Sequence, residues 1–299
     1  MPGETTRLDA LAIVCLVGCC ALWGLNQVSI KAALPEVPAF VQLSIRSVVA
    51  CVLLLGWMRW RGIGLPLRDG TLAPGLLAGL LFAVEFGLIF FGLQYTTAAR
   101  SVVFINTSPF VVAAVLAAVL PAERLKPLQA LGLVVAFAGV AYAFVEPPAQ
   151  AAQASRWPWL GDALIVLAAA LWGATTITIR LSVLRRAPAE TTLAYQLIVA
   201  SLLSPLAAWA TDSTWPASWS ALAIGSLAYQ AVIVTFASYL LWFWLLTRYP
   251  ATKVQGFVVL TPVFGTAFAA VLLGESLGPK LLVGLGAIVV GLTLLNRRT

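Results

Sequence analysis

Long apolar runs separated by short polar segments dominate the chain. Charge-free windows recur at Ala10–Ile30, Ser101–Ala122, Thr191–Thr211 and Val254–Gly274. None alternates strictly between apolar and polar positions, so the pattern predicts helices rather than strands. A helix rises about 1.5 Å per residue and the hydrocarbon core of a bilayer is about 30 Å thick, so ~20 apolar residues make one crossing. With shorter windows included, ten helices are predicted, near 9–31, 39–58, 71–94, 98–120, 127–145, 160–182, 190–210, 219–246, 252–273 and 280–296. The window Ser213–Thr247 exceeds one straight crossing, and its Trp215-Pro216 start reads as a loop. Lipid leaves no partner for an open backbone, so helices or a closed barrel must span. The expected fold class is an all-α integral membrane protein with ten transmembrane helices.

The pattern is written twice. Ala21-Leu22-Trp23-Gly24, followed by Ser29-Ile30-Lys31, returns as Ala170-Leu171-Trp172-Gly173, followed by Thr178-Ile179-Arg180. Val41-Gln42-Leu43 answers to Tyr195-Gln196-Leu197, and Ser108-Pro109 to Thr261-Pro262. Leu120-Pro121-Ala122-Glu123 answers to Leu272-Leu273-Gly274-Glu275, and Gly132 and Gly139 to Gly284 and Gly291. The expected units are residues 1–148 and 149–299, with five helices each. An odd number of crossings per unit makes the second copy run through the membrane the opposite way up.

Charge supports that arrangement. With the N-terminus inside, thirteen Lys and Arg residues fall in inside segments, and only Lys31, Arg100, Arg156 and Lys280 fall outside. Arg46 lies within a span. Positive residues concentrate on the cytoplasmic side of membrane proteins, so both termini are expected in the cytoplasm. The net charge of +7 is then chiefly a topological signal, and no basic run suggests nucleic-acid binding.

Composition agrees, with 61% hydrophobic residues, 10% charged residues and a mean hydropathy of +0.98. Soluble domains carry roughly 25% charged residues. Arg7, an apolar stretch and Leu16-Val17-Gly18-Cys19 resemble a lipoprotein signal, but cleavage there would leave the first unit one helix short. Cys15, Cys19, Cys20 and Cys51 fall within predicted spans, where thiols behave as small apolar residues, and no disulfide is expected. The chain has no histidine, no phosphate-binding glycine loop and no metal-ligand spacing, so no catalytic triad, ATPase, metal or cofactor is expected.

Two copies of a five-helix unit with these landmarks in this order resemble the EamA-type repeat of the drug/metabolite transporter superfamily. The landmarks are Ala-Leu-Trp-Gly in the first helix, Ser/Thr-Pro midway along the fourth, Glu just after it and a glycine-rich fifth. The resemblance covers nearly the whole chain except its ends and the loop at 146–158. In length and layout the chain is similar to the YddG-like exporters of amino acids and related metabolites. The resemblance implies a central cavity lined mainly by the first, third, fourth, sixth, eighth and ninth helices, with the fifth and tenth at the periphery.

Candidate site residues follow from polar and aromatic positions inside spans. Trp23 is followed by Asn26, and Trp172 by Thr175 and Thr176, at spacings that share one helix face. Phe104, Asn106, Tyr239, Trp242 and Phe257 also lie within spans, whereas Trp57, Trp60, Trp157, Trp159, Trp209, Trp215 and Trp219 lie near helix ends and read as an interfacial belt. Pro109 and Pro262 are expected to bend their helices or to expose backbone carbonyls. Gly132, Gly139, Gly284, Gly286 and Gly291 read as packing faces. Gln42 and Gln196 are matched between copies. Arg46 and Glu85 are not, for they align with Ala200 and Ser238, and Phe86 aligns with Tyr239. Charges within spans usually face a cavity or a partner. Arg46 either does so or snorkels to the nearer surface. Glu85 lies too deep for that, and reads as a coupling or substrate-binding carboxylate or as a structural hydrogen-bonder.

The expected function is export of small metabolites, amino acids first among them, across the cytoplasmic (inner) membrane. Transport would be facilitative or proton-coupled, since no energy-coupling domain is visible. The partners are then a small-molecule substrate, the lipid bilayer and protons. The alternatives are a multidrug or organic-cation carrier on the same fold and, behind it, a channel or membrane-embedded enzyme. The first of these often relies on an acidic residue in its first helix, which is absent between Ala10 and Ile30.

Overall fold

A computed structural model describes residues 9–65, 69–119, 125–145, 159–249, 254 and 257–296. Among them there are helices and no strand. They are α1 (Ala10–Ala33), α2 (Ala39–Arg61), α3 (Leu72–Gly92), α4 (Ala98–Ile105), α5 (Ser108–Val119) and α6 (Pro127–Phe144) in the first half. The second half has α7 (Leu160–Leu181), α8 (Ala189–Ala210), α9 (Ala221–Ala228), α10 (Tyr239–Arg248), α11 (Leu260–Leu273) and α12 (Pro279–Asn296). A π-helical segment, Tyr229–Ser238, joins α9 to α10 without a break. Seven stretches are long and apolar enough to cross a membrane, and Pro127–Ala143, Phe257–Leu273 and Pro279–Leu295 are shorter apolar helices. The Leu120–Glu123 motif, Arg7, Arg68, Arg124, Arg156, Trp157, Lys253, Arg297 and Arg298 lie outside the described residues.

Local chemistry sets the helix ends. Asp9 caps α1 by accepting the Ala12 amide at 2.7 Å, and Ser220 caps α9 through the Ala223 amide at 3.1 Å. Such caps satisfy amides that the first turn leaves without an intrahelical partner. Gly62 and Gly274 end α2 and α11 in the left-handed region, at φ 68° and 63°, where a Cβ is disfavoured.

The prolines behave differently from the sequence expectation. The predicted helix 98–120 breaks at Asn106-Thr107, and Pro109 is the second residue of a new helix, α5. Pro262 is the third residue of α11, directly after a 3₁₀ turn at Phe257–Val259. A first helical turn has no acceptor for its amides, so proline is tolerated there. Both prolines therefore start segments, and the kink within a continuous helix is not found. Among the described residues, Pro205 lies in a helix interior, that of α8.

Glycines decide how the halves meet. α6 and α12 pack along their length, with Gly132 against the Gly291 carbonyl and Gly139 against Gly284. A Cβ built on Gly132 would sit 2.8 Å from that carbonyl oxygen. Lipid offers no hydrophobic drive between helices, so close backbone approach through small residues supplies the packing. The glycines of the repeated Trp-Gly pair meet the other repeated motif across the halves. Gly24 packs on the Thr261 carbonyl and Gly265, and Gly173 on Val111 and the Ser108 carbonyl. The remaining major contacts also cross between halves, with α3 on α7 and α8, α2 on α8 and on the π segment, and α1 on α11.

Candidate functional site

One group of predicted residues assembles where α1 and α2 face the π segment, with α3 beside α2. Trp23 donates its indole N–H to Ser238 Oγ at 2.9 Å. Its ring meets Tyr239 edge-on at 6.1 Å and Trp242 at 4.8 Å between centroids. Phe257 joins Trp23 and Trp242 in one apolar cluster with Leu16 and Cys19. Gln42 is fully buried, donates to the carbonyls of Val37 and Ile30, and accepts from Gln230 Nε2 at 3.2 Å. Tyr229 donates its hydroxyl to the Leu22 carbonyl at 2.6 Å.

Arg46 lies at the polar end of this group. It is 2% exposed, so it does not snorkel. Its Nε donates to Thr235 Oγ1 at 2.7 Å, and its guanidinium stacks over the Phe86 ring at 3.9 Å. The Tyr239 hydroxyl lies beside that guanidinium, and Glu85, 3% exposed, sits next to Phe86 on α3. Yet Arg46 Nη1 and Nη2, Glu85 Oε2 and Gln230 Oε1 are buried without a well-formed hydrogen bond. Among the described residues Arg46 and Glu85 form no direct salt bridge.

The π winding explains why one segment reaches so many residues of the first half. Thr235 Oγ1 donates to the Gln230 carbonyl five residues back, at 2.8 Å. Gln230, Thr235 and Ser238 hold Gln42, Arg46 and Trp23 respectively. π-helical turns are rare and frequently mark functional sites. Nothing in the amino-acid pattern announces this one.

The other predicted residues lie elsewhere. Asn106 donates to the Val102 carbonyl at 2.7 Å and Thr176 to the Trp172 carbonyl at 3.1 Å, so both bond within their own helices. Trp172 is half-buried in α7 against the main core. Gln196 is buried in α8, and Asn26 is buried in α1 with its Oδ1 unpartnered. Phe104 is fully buried beneath the Arg100 guanidinium, 5.1 Å from it.

Arg100, placed outside by the charge count, lies in α4 and is buried rather than exposed. It is 3% exposed and forms a two-pronged ion pair with Asp162, with Nη2 to Oδ2 at 2.6 Å and Nε to Oδ2 at 2.9 Å. Thr96 also donates to Asp162, and Nη2 reaches the Ala143 carbonyl. Lys31, placed outside with Arg100, is likewise spent on carbonyls, those of Leu93 and Thr96. Glu275, in the loop between α11 and α12, accepts the amides of Ala98 and Ala99 at 2.7 and 2.8 Å and so caps α4 from the other half. Burial pushes its carboxyl above the usual range, against those amides and Lys31, which favour its charged form. The repeat placed Glu275 correctly after its helix, but its acceptor role is a matter of tertiary contact.

Comparison with known proteins follows this geometry. The model of the EamA-like transporter family matches residues 10–145 and again residues 159–297. A "Probable amino-acid metabolite efflux pump" of Salmonella typhimurium is 28% identical over 284 residues, covering 91% of this chain and 90% of the relative. An "Uncharacterized transporter" of Archaeoglobus fulgidus is 26% identical over 97% of this chain and 95% of its own length. A solved structure described as "Crystal structure of protein" shares the fold, with a TM-score of 0.66 at 20% identity, over 94% of this chain and 96% of that one. With nearly its whole length matched in two successive stretches, this multi-pass membrane protein belongs to the EamA-like transporter family, within the drug/metabolite transporter superfamily.

Proposed function

We propose that the chain is a secondary transporter that exports small metabolites, amino acids above all, across the cytoplasmic membrane. It is not an enzyme in this reading. Its ten helices cross as two inverted five-helix units, 1–148 and 149–299, with both termini in the cytoplasm. The reciprocal seating of Gly24 on Thr261 and Gly173 on Ser108 supports a two-fold relation between the units. Inverted repeats carry cargo by rocking around a site at their interface. That site is the meeting place of Trp23, Gln42, Arg46, Glu85, Tyr239, Trp242 and Phe257.

The observation that carries this reading is the set of side-chain links from the π segment to both α1 and α2. Trp23–Ser238, Arg46–Thr235 and Gln42–Gln230 all cross between the units, in a region rich in aromatic rings. Polar contacts of this kind inside a span are costly, and they concentrate along substrate paths. The efflux-pump name of the Salmonella relative favours amino acids as cargo.

Counterflow in proteoliposomes tests the cargo. Preloaded amino acids should drive uptake of labelled amino acid, and organic cations and nucleotide sugars should not. Exchange of organic cations alone would replace this reading with the multidrug one. Topology has its own test. A cysteine at Asp212 should react with an impermeant thiol reagent only from outside, and one at Arg185 only from inside. Reaction of both from one face would sink the inverted arrangement.

A further inference from the structure

We infer that Arg46 and Glu85 together form the recognition site for a zwitterionic head group, with Arg46 receiving a carboxylate and Glu85 an ammonium, so that the cargo is an α-amino acid with an apolar or aromatic side chain. This rests on the amino-acid reading above and gives it a chemical definition.

Four observations lead there. The first is the unfilled hydrogen-bonding capacity. An arginine fork presents two parallel N–H groups suited to a carboxylate. Here Nε is engaged by Thr235 and the Tyr239 hydroxyl lies beside the guanidinium, but neither Nη1 nor Nη2 makes a well-formed hydrogen bond. Glu85 Oε2 is equally unpartnered. A buried charge in lipid without its complement is costly, and such residues are kept where they serve a function.

The second is spacing. Arg46 on α2 and Glu85 on α3 are both buried, yet they form no direct ion pair. A ligand that carries both signs on neighbouring atoms would give each group the partner it lacks. An α-amino acid is the smallest metabolite with that property.

The third is what surrounds the pair. The Phe86 ring lies 3.9 Å from the guanidinium carbon, measured to its centroid. Thr235 and Ser238 are three residues apart on the π segment, and they hold Arg46 and Trp23 respectively. Tyr239 links the two regions, since it interacts with Arg46 and also packs edge-on against Trp23. An amino acid with its head at Arg46 and Glu85 would therefore lay its side chain towards Trp23, Tyr239 and Trp242.

The fourth is asymmetry. Arg46 and Glu85 align with Ala200 and Ser238 in the second half, so the pair occurs once. A scaffold role in a repeated fold would be expected in both copies. A polar ligand with a direction needs only one. The guanidinium, Gln42 and Glu85 are all enclosed in this conformation, so cargo reaches them only when α2, α3 and the π segment part.

The test uses the full chain in proteoliposomes loaded with labelled phenylalanine. Phenylalanine, phenethylamine and 3-phenylpropionate are offered as competitors, the last two lacking the carboxylate and the ammonium in turn. In the wild type, phenylalanine should compete at least tenfold better than either. In Arg46→Gln the preference over phenethylamine should collapse while that over phenylpropionate persists, and in Glu85→Gln the pattern should reverse. A purely structural role would lower all rates without moving these ratios. If either single-charge analogue competes within threefold of phenylalanine in the wild type, the inference is overturned whether or not the variants fold. Unchanged ratios in both variants overturn it too. If the wild type exchanges no amino acid at all, it is the amino-acid reading that fails first.

Discussion

Two buried arginines in this protein have opposite surroundings. Arg100 meets Asp162 through several short contacts, and Thr96 and the Ala143 carbonyl complete the set. No buried polar atom of that pair lacks a partner. Arg46 is equally buried, but its fork is open and its nearest carboxylate stands off. The first site joins the starts of α4 and α7, one from each half, at the end of the bundle where Lys31 and Glu275 add further links. The second lies within the spans. A saturated ion pair holds helices together and has nothing left to offer a ligand. An unsaturated one weakens the fold and keeps its capacity for something that comes and goes.

The largest expected effect separates the two sites by stability. Removing one partner of a satisfied buried pair leaves an uncompensated charge, at a cost of about 3–5 kcal/mol. Asp162→Ala should therefore lower the thermal unfolding temperature of the detergent-purified protein sharply. Adding Arg100→Met should recover much of the loss, because the stranded charge is gone. If Asp162→Ala unfolds at the wild-type temperature, the ion pair is not the structural clamp described above.

At Arg46 the expected change is smaller and of the opposite sign. Replacing buried, poorly paired ions by neutral groups of similar volume is often neutral or stabilising, by about 1–4 kcal/mol. Arg46→Met combined with Glu85→Gln should thus unfold at or above the wild-type temperature. Such stability gained with function lost is a known trade at active sites. A loss as large as that of Asp162→Ala would erase the contrast and make Arg46 a structural residue.

Much of the architecture was legible before any coordinates, because lipid removes most alternatives. An apolar run without charge has to be a helix there, and the observed helices Ala10–Ala33, Ala39–Arg61 and Leu72–Gly92 start and end within three residues of expectation. The packing role of Gly132, Gly139, Gly284 and Gly291 was also readable, since small residues at heptad spacing serve close approach in lipid. So was the oddness of Arg46 and Glu85, which showed as breaks in the repeat.

Other features have no one-dimensional signature. Trp-Gly and Ser/Thr-Pro were recognisable as repeated pairs, but that each glycine seats on the other half's Ser/Thr-Pro turn is a relation between distant segments. Arg100 and Asp162 are 62 residues apart and sit near predicted helix ends, where a charge ordinarily faces water. Only packing brings them together and dries them. The π winding at Tyr229–Ser238 is likewise decided by what that segment has to meet, on α1 and α2 at once. Apolar periodicity, repeats and charge bias are local quantities, and the sequence by itself determined helix positions, the doubled plan and the family. Which buried polar groups are satisfied depends on partners far away in the chain, so tertiary structure alone decided which arginine is a clamp and which has an open fork.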